Sequence, residues 1–247
     1  MKFKCFILDL DGVVYKGNEL IEGADERISK IKKKAEVYFL TNNSTLSSED
    51  YVAKLRKLGI SAEEKEIITS GYAAAWYIRK NIPNPRAYVI GEEGLVKELR
   101  KQWIDVGHRN CNVVVVGLDR GFTYAKLAWA MKLILDGAEF IATNTDRRLI
   151  TEKALLPGGG VIVKAVEEAS GKKPIVVGKP SDIMAKIILE KVKAKPEEVL
   201  LIGDRLETDI AMGKKMGMKT ALVLTGHTRR EDVEKSSIKP DYILDKL

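Results

Sequence analysis

The chain has 247 residues, 45% hydrophobic and 31% charged, a globular balance that excludes collagen-like, low-complexity and disordered classes. Its apolar runs are strand-sized, well short of the roughly 18 residues that cross a bilayer, and its first strand meets acidic residues too soon for a signal peptide, so the expectation is a cytoplasmic protein with no membrane partner. Forty-two Lys and Arg against thirty-five Asp and Glu leave a net charge of +7, but the bases are interleaved with Glu along helical stretches, the pattern of solvated faces rather than of a nucleic-acid stripe.

Short β-branched or aliphatic runs alternate with stretches of helical period, which predicts an α/β fold with a parallel sheet flanked by helices. In chain order, residues 3–8 predict a strand, 24–35 a helix, 37–40 a strand and 48–58 a helix. A second set follows: strand 87–90, helix 93–103, strand 112–116, helix 124–136, strand 139–142 and helix 160–170. The first set then resumes with strand 175–177, helix 181–192, strand 199–202, helix 207–216 and strand 220–224, and residues 242–244 add an edge strand. Pro83, Pro85 and the Gly-Lys-Lys-Pro stretch at 171–174 punctuate the chain where the sets meet. The layout predicts an outer Rossmann-like unit, 1–77 and 174–247, with an α/β unit at 78–173 inserted into it.

Chemistry gathers at the strand ends, where parallel sheets bind ligands. Asp9-Leu10-Asp11-Gly12 follows the first strand, and a spacing of two puts Asp9 and Asp11 on one side of an extended chain. Gly203-Asp204 follows another strand, with Asp209 five residues on, either at the site or capping the next helix. The only cysteines are Cys5 and Cys111 and the only histidines His108 and His227, which disfavours zinc; clustered carboxylates point instead to a hard cation, Mg²⁺, with an anionic ligand. Thr41-Asn42-Asn43-Ser44 offers a hydroxyl and turn N–H groups to a phosphate, its bland alternative being an Asx turn before a helix capped by Ser47 or Ser48. Lys179, between Gly178 and Pro180, supplies an ammonium, and Ser181 is placed to cap the helix that follows.

Taken together, Asp9-x-Asp11-Gly12, Thr41, Lys179 and Gly203-Asp204-x-x-x-x-Asp209 resemble the four ordered motifs of the haloacid dehalogenase superfamily. The spellings Asp-Leu-Asp-Gly-Val-Val-Tyr, Leu-Thr-Asn-Asn-Ser and Val-Gly-Lys-Pro-Ser are similar to its NagD-type and p-nitrophenyl-phosphate-type phosphatases, which carry an α/β cap between the second and third motifs. The resemblance implies a Mg²⁺-dependent phosphomonoesterase acting on a small phosphorylated metabolite. Asp9 would be the nucleophile and Asp11 the general acid and base, while Thr41, Asn42, Asn43 and Lys179 would hold the phosphoryl group. The metal would take the Asp9 carboxylate, the Asp11 carbonyl and Asp204, with Asp209 a ligand or an orienter.

The inserted unit would choose the substrate. Its Thr143-Asn144-Thr145-Asp146-Arg147-Arg148 stretch echoes Thr41-Asn42-Asn43, and the resemblance turns it toward the site, with Arg147 or Arg148 on the substrate. Pro157-Gly158-Gly159-Gly160 lacks the dinucleotide fingerprint and reads as a loop of that unit rather than a cofactor site. A phosphotransferase or mutase on the same scaffold, and a non-catalytic nucleic-acid-binding or regulatory module, are the competing readings; the intact Asp9, Asp11, Lys179 and Asp204 weigh against the latter. A homodimer is compatible with the sequence. A single glutamine, Gln102, beside abundant Lys and Glu points to a heat-adapted source.

Overall fold

The computed structural model describes residues 3–150 and 154–247. Two parallel sheets organise them. The six-stranded sheet runs, in spatial order, Tyr242–Leu244, Lys219–Val223, Val199–Gly203, Cys5–Asp9, Glu36–Thr41 and Ile67–Thr69. The five-stranded sheet runs Ile175–Val176, Glu139–Ala142, Val113–Val116, Arg86–Ile90 and Asp105–Val106. Each strand of the first pair, Cys5–Asp9 and Val199–Gly203, is buried along its whole length, as strands covered by helices on both faces must be. Among the described residues no helix is long and apolar enough to cross a membrane.

Two expected boundaries are corrected, one by strand pairing and one by a helix. Residues 175–177, assigned to the outer unit, pair as Ile175–Val176 with Glu139–Ala142 in the five-stranded sheet. A two-residue aliphatic strand carries no mark of which sheet it joins, and here the pairing carries it past the 173/174 boundary. The 77/78 boundary likewise falls inside helix Ser70–Asn81, which follows the unforeseen strand Ile67–Thr69. That helix buries Ala73, Ala74, Ala75 and Ile78 and packs against helices Glu93–Lys101 and Asp182–Lys191. One apolar cluster therefore runs from Ile7 and Leu201 of the six-stranded sheet, through Ala74 and Ile187, to Val113 and Ile141 of the five-stranded sheet. The two units share a core rather than meeting across a polar gap.

The third correction concerns residues 207–216, expected as one helix. A π-helical turn, Leu206–Ile210, comes first and the α-helix Ala211–Lys215 follows it. Such turns reorient single side chains and recur at functional sites; this one contains Asp209, which is almost fully buried.

Beyond the site, Asp241 fastens the edge strand. Its carboxylate accepts hydrogen bonds from Lys214 Nζ at 2.6 Å, Lys219 Nζ at 2.8 Å, and the Thr220 N–H and hydroxyl at 3.0 Å each. Partial burial opposes the charge, but the two ammonium groups and the Thr220 donors outweigh it and hold the carboxyl well below its ordinary range. Asp241→Ala should lower the unfolding free energy at pH 7 by about 1–3 kcal/mol, as removing an acceptor from several donors does. Because the folded pKa is depressed, this contribution is complete above the unfolded value of about 3.9 and fades as pH falls through the folded one. Urea titrations should show the gap between wild type and variant narrowing below about pH 4; a gap that widens in acid would contradict the assignment.

Candidate active site

Parallel register gathers the motifs. Asp9 pairs with Leu40, which puts Thr41 one residue beyond it, and Leu8 pairs with Ile202, which puts Gly203 opposite Asp9 and Asp204 just past the edge. Lys179 reaches the same point from the other sheet, two residues after Val177. A side chain at Gly178 is barred, since its Cβ would lie 2.3 Å from the Thr143 carbonyl oxygen and 2.6 Å from Asn42 Oδ1. Lys179 Nζ donates to Asp9 Oδ1 and to Asp209 Oδ1, each at 2.6 Å. All three side chains are buried.

Asp204 sits in a cradle of two glycines. A Cβ at Gly12 would lie 2.7 Å from Asp204 Oδ2 and one at Gly226 would lie 2.0 Å from it, so neither position has room for any other residue. Gly12 also has φ +87°, which L side chains rarely adopt. The His227 N–H donates to Asp204 Oδ2 at 2.7 Å. One carboxylate oxygen of each of Asp9, Asp204 and Asp209 lies within 4.8 Å of the others.

The electrostatics follow from that crowding. Burial pushes the Asp9 carboxyl well above its usual range; Lys179 opposes this, and Asp209 and Asp204 add to it. Burial and then Asp209 push Asp204 up to about 7. Burial also disfavours the Lys179 ammonium, yet Asp209 and Asp9 more than reverse that and leave its pKa raised. Two cations, Lys179 and the nearby Arg205, do not balance three buried carboxylates, so the fully ionised cluster calls for further positive charge. The donors are all oxygen, the set that a hard divalent cation such as Mg²⁺ takes.

Asp11 lies apart from this cluster and lines the same pocket. Burial raises its pKa, against the pull of Lys54, Lys179 and Arg205, which favours the protonated form that a general acid needs. Thr41 is buried, and its hydroxyl oxygen accepts from the Asn43 N–H at 3.1 Å.

The side chains of the two asparagines are engaged within the protein. Asn43 lines the pocket, but its Oδ1 accepts from the Thr45 N–H at 3.0 Å and the Thr45 hydroxyl at 2.8 Å, the Asx turn that was the bland alternative. Ser47, not Ser48, caps the helix after it, with Asp50 closing a capping box. Asn42 Oδ1 accepts from the Lys179 N–H at 2.7 Å, and Asn42 Nδ2 donates to the Lys179 carbonyl at 3.2 Å and to Asp146 Oδ2 at 3.3 Å. Asn42 also lines the pocket, with its side chain clamping the lysine loop.

Arg148 lines the pocket and Arg147 does not. Among the charged lining residues, Lys16, Asp146 and Arg205 were not expected at the site. Asp146 lies in the Thr143–Arg148 stretch and Arg205 directly after Asp204, so their charge beside the motifs was the available signal. Gly158 and Gly159 also face the pocket, in the loop from the hairpin Arg148–Ile150 and Leu155–Pro157 into helix Gly159–Ser170.

A sequence profile of haloacid dehalogenase-like hydrolases matches residues 6–104, and a second profile of the same class matches 176–247. The 5'-nucleotidase YutF of Bacillus subtilis is 37% identical over 99% of this chain and 96% of its own length. The structure of a 4-nitrophenylphosphatase from Thermotoga maritima superposes with a TM-score of 0.93 at 35% identity, covering 99% of this chain and 95% of that one. NagD from Escherichia coli gives 0.90 at 32% identity, covering 100% and 97%. A glycerol phosphate phosphatase from Mycobacterium tuberculosis, solved in complex with magnesium, gives 0.90 at 31% identity, covering 99% of this chain and 75% of that one.

Proposed function

The chain belongs to the haloacid dehalogenase-like hydrolases, in the branch of NagD and the 4-nitrophenylphosphatases, and is a phosphatase; from that premise we propose that it hydrolyses small phosphate esters through a phosphoryl group carried on Asp9. The observation that carries this reading is the buried Asp9 carboxylate at a strand end, 2.6 Å from Lys179 and clustered with Asp204 and Asp209. A carboxylate oxygen of Asp9 attacks phosphorus as the bond to the leaving oxygen breaks, and Asp11 gives that oxygen its proton. Water then attacks the phosphorus while Asp11 takes its proton, and the bond to Asp9 breaks to release inorganic phosphate. Lys179, held by Asp9 and Asp209 and clamped by Asn42, neutralises charge on the transferring group, and Thr41 positions it.

Asp9, Asp204 and Asp209 with the Asp11 carbonyl would hold Mg²⁺, which when bound offsets the carboxylates and polarises the phosphoryl oxygens. The magnesium complex of the Mycobacterium tuberculosis relative supports the same metal. The unit built on the five-stranded sheet would select the substrate, with Arg148 lining the pocket. A panel of sugar, glycerol and nucleotide phosphates assayed with and without Mg²⁺ tests the reading. Chelation should abolish turnover and Mg²⁺ restore it, while Ca²⁺, content with more and looser ligands, should bind and support little. Full activity in excess chelator would overturn the metal assignment.

A further inference from the structure

The segment that follows strand Glu139–Ala142 is joined to the catalytic groups by a continuous set of polar contacts. Asp146 Oδ2 accepts from Asn42 Nδ2 at 3.3 Å, and the same asparagine grips the Lys179 backbone at both N–H and carbonyl. Asp146 Oδ1 faces Arg205 Nη1 at 3.7 Å, and Arg205 Nη2 donates to the Arg148 carbonyl at 3.3 Å. Arg205 stands between Asp204 and the π-helical turn that holds Asp209. Next to these, Asn144 Nδ2 donates to the Asn42 carbonyl at 2.7 Å, and the Ser44 and Thr143 hydroxyls are 3.3 Å apart.

The backbone at Asp146 is itself fixed. The Gly160 N–H donates to the Asp146 carbonyl at 2.9 Å, and the Gly158 N–H to the Arg147 carbonyl at 2.9 Å. A Cβ at Gly158 would lie 2.2 Å from the Asp146 carbonyl oxygen, and one at Gly160 would lie 2.3 Å from the Thr145 oxygen. The glycine run thus admits the 145–147 backbone to close packing. That gives the run a structural purpose in packing.

Resting on the phosphatase reading, we propose that Asp146 is a positioning residue for the chemistry: through Asn42 it sets the lysine that faces the transferring phosphoryl group, and through Arg205 it ties the segment to the Asp204–Asp209 loop. The substrate-facing segment then does more than recognise substrate. Its docking completes the lysine's placement, so a loss of docking lowers the rate even on an ester with nothing for the segment to recognise. This separates Asp146 from Arg148, which lines the same pocket and whose side chain is outside the chain of contacts to Lys179.

The test uses the full-length protein with Mg²⁺ and 4-nitrophenyl phosphate. Asp146→Ala should lower kcat by about 10- to 100-fold, the cost of a small misplacement of a catalytic group, with KM changed less than about threefold. Asp146→Asn, which keeps an acceptor for Asn42, should recover most of that loss. The inhibition constant for orthovanadate, a mimic of the transferring group, should rise in Asp146→Ala in proportion to the loss in kcat/KM. Asn42→Ala and Asp146→Ala should be non-additive when combined, as residues acting in one chain are. A kcat for Asp146→Ala within twofold of wild type, or additivity in that cycle, would overturn the proposal. If the alanine variant does not fold, Asp146→Asn and Asp146→Glu, compared by kcat and vanadate binding, decide it: equal loss in both, without weaker vanadate binding, would also overturn it. A wild-type enzyme inert toward every phosphate ester would instead remove the phosphatase reading beneath it.

Discussion

Asp9→Asn should reduce turnover of any phosphate ester by on the order of 10⁴-fold or more while leaving the protein folded. Asparagine has the shape of aspartate, so the packing against Cys5–Asp9 and its neighbours is kept, but its amide cannot attack phosphorus. Stability is the discriminating readout. Asp9 is a buried carboxylate whose pKa is raised by burial and by Asp209 and Asp204, so in the absence of metal its charge opposes folding at neutral pH. Removing that charge should leave the melting temperature in chelator unchanged or higher. Wild-type protein quenched in acid during turnover should carry its phosphoryl group at residue 9, and none should appear in the variant. Phosphate found on a serine, a histidine or Cys5, or substantial activity in Asp9→Asn, would sink the mechanism.

The strand ends were legible because each aliphatic run stops at a residue an apolar interior rejects: Asp9 after Leu8, Thr41 after Leu40, Asp204 after Gly203. What alternation and spacing do not carry is register between strands far apart in sequence. That Asp9 lies beside Leu40, and Gly203 across from Asp9, follows only once the sheet is assembled. The helix Ser70–Asn81 escaped notice for a related reason. It is packed by other helices on more than one side, so its apolar residues do not fall into a single stripe. Lys179 was recognised but its strand was assigned to the wrong sheet, since Ile175 and Val176 suit either.

Side chains with two available partners were the least readable. Asn42 stands at the pocket as expected, but its side-chain amide satisfies the Lys179 backbone on one side and Asp146 on the other, partners that spacing along the chain does not show. Asp209 was balanced between capping and the site; it caps neither the π-helical turn nor the α-helix, and both its oxygens are used, Oδ1 accepting from Lys179 at 2.6 Å and Oδ2 from the Arg205 N–H at 3.2 Å. The π-helical turn makes this double use possible by turning the residue inward before the α-helix begins.

Lys179→Met should cost both rate and stability, and pH separates the two. Turnover should fall by on the order of 10³-fold, since the group that offsets charge on the transferring phosphoryl is gone. In chelator at pH 8 the unfolding free energy should drop by about 3–5 kcal/mol, because Asp9 and Asp209 are left buried without their cation. The sign of the pH dependence follows from the raised carboxyls. Asp9 and Asp204 already bind protons more tightly in the folded protein than in the unfolded one, and loss of the ammonium strengthens that preference. Where the folded state holds more protons than the unfolded state, stability falls as pH rises. The window opens near the unfolded aspartate value of about 3.9 and extends through about 7, where Asp204 titrates in the native chain. The penalty of the variant relative to wild type should therefore shrink at pH 5, where protons replace the missing ammonium, and be largest at pH 8. Comparing the difference rather than either protein alone cancels acid-sensitive contacts common to both, such as Asp241. Mg²⁺ should recover part of the lost stability at pH 8 and none of the lost lysine chemistry. A penalty independent of pH in chelator, measured by urea titration at both values, would mean that the three carboxylates do not share one buried field and that Lys179 is not their common counterion.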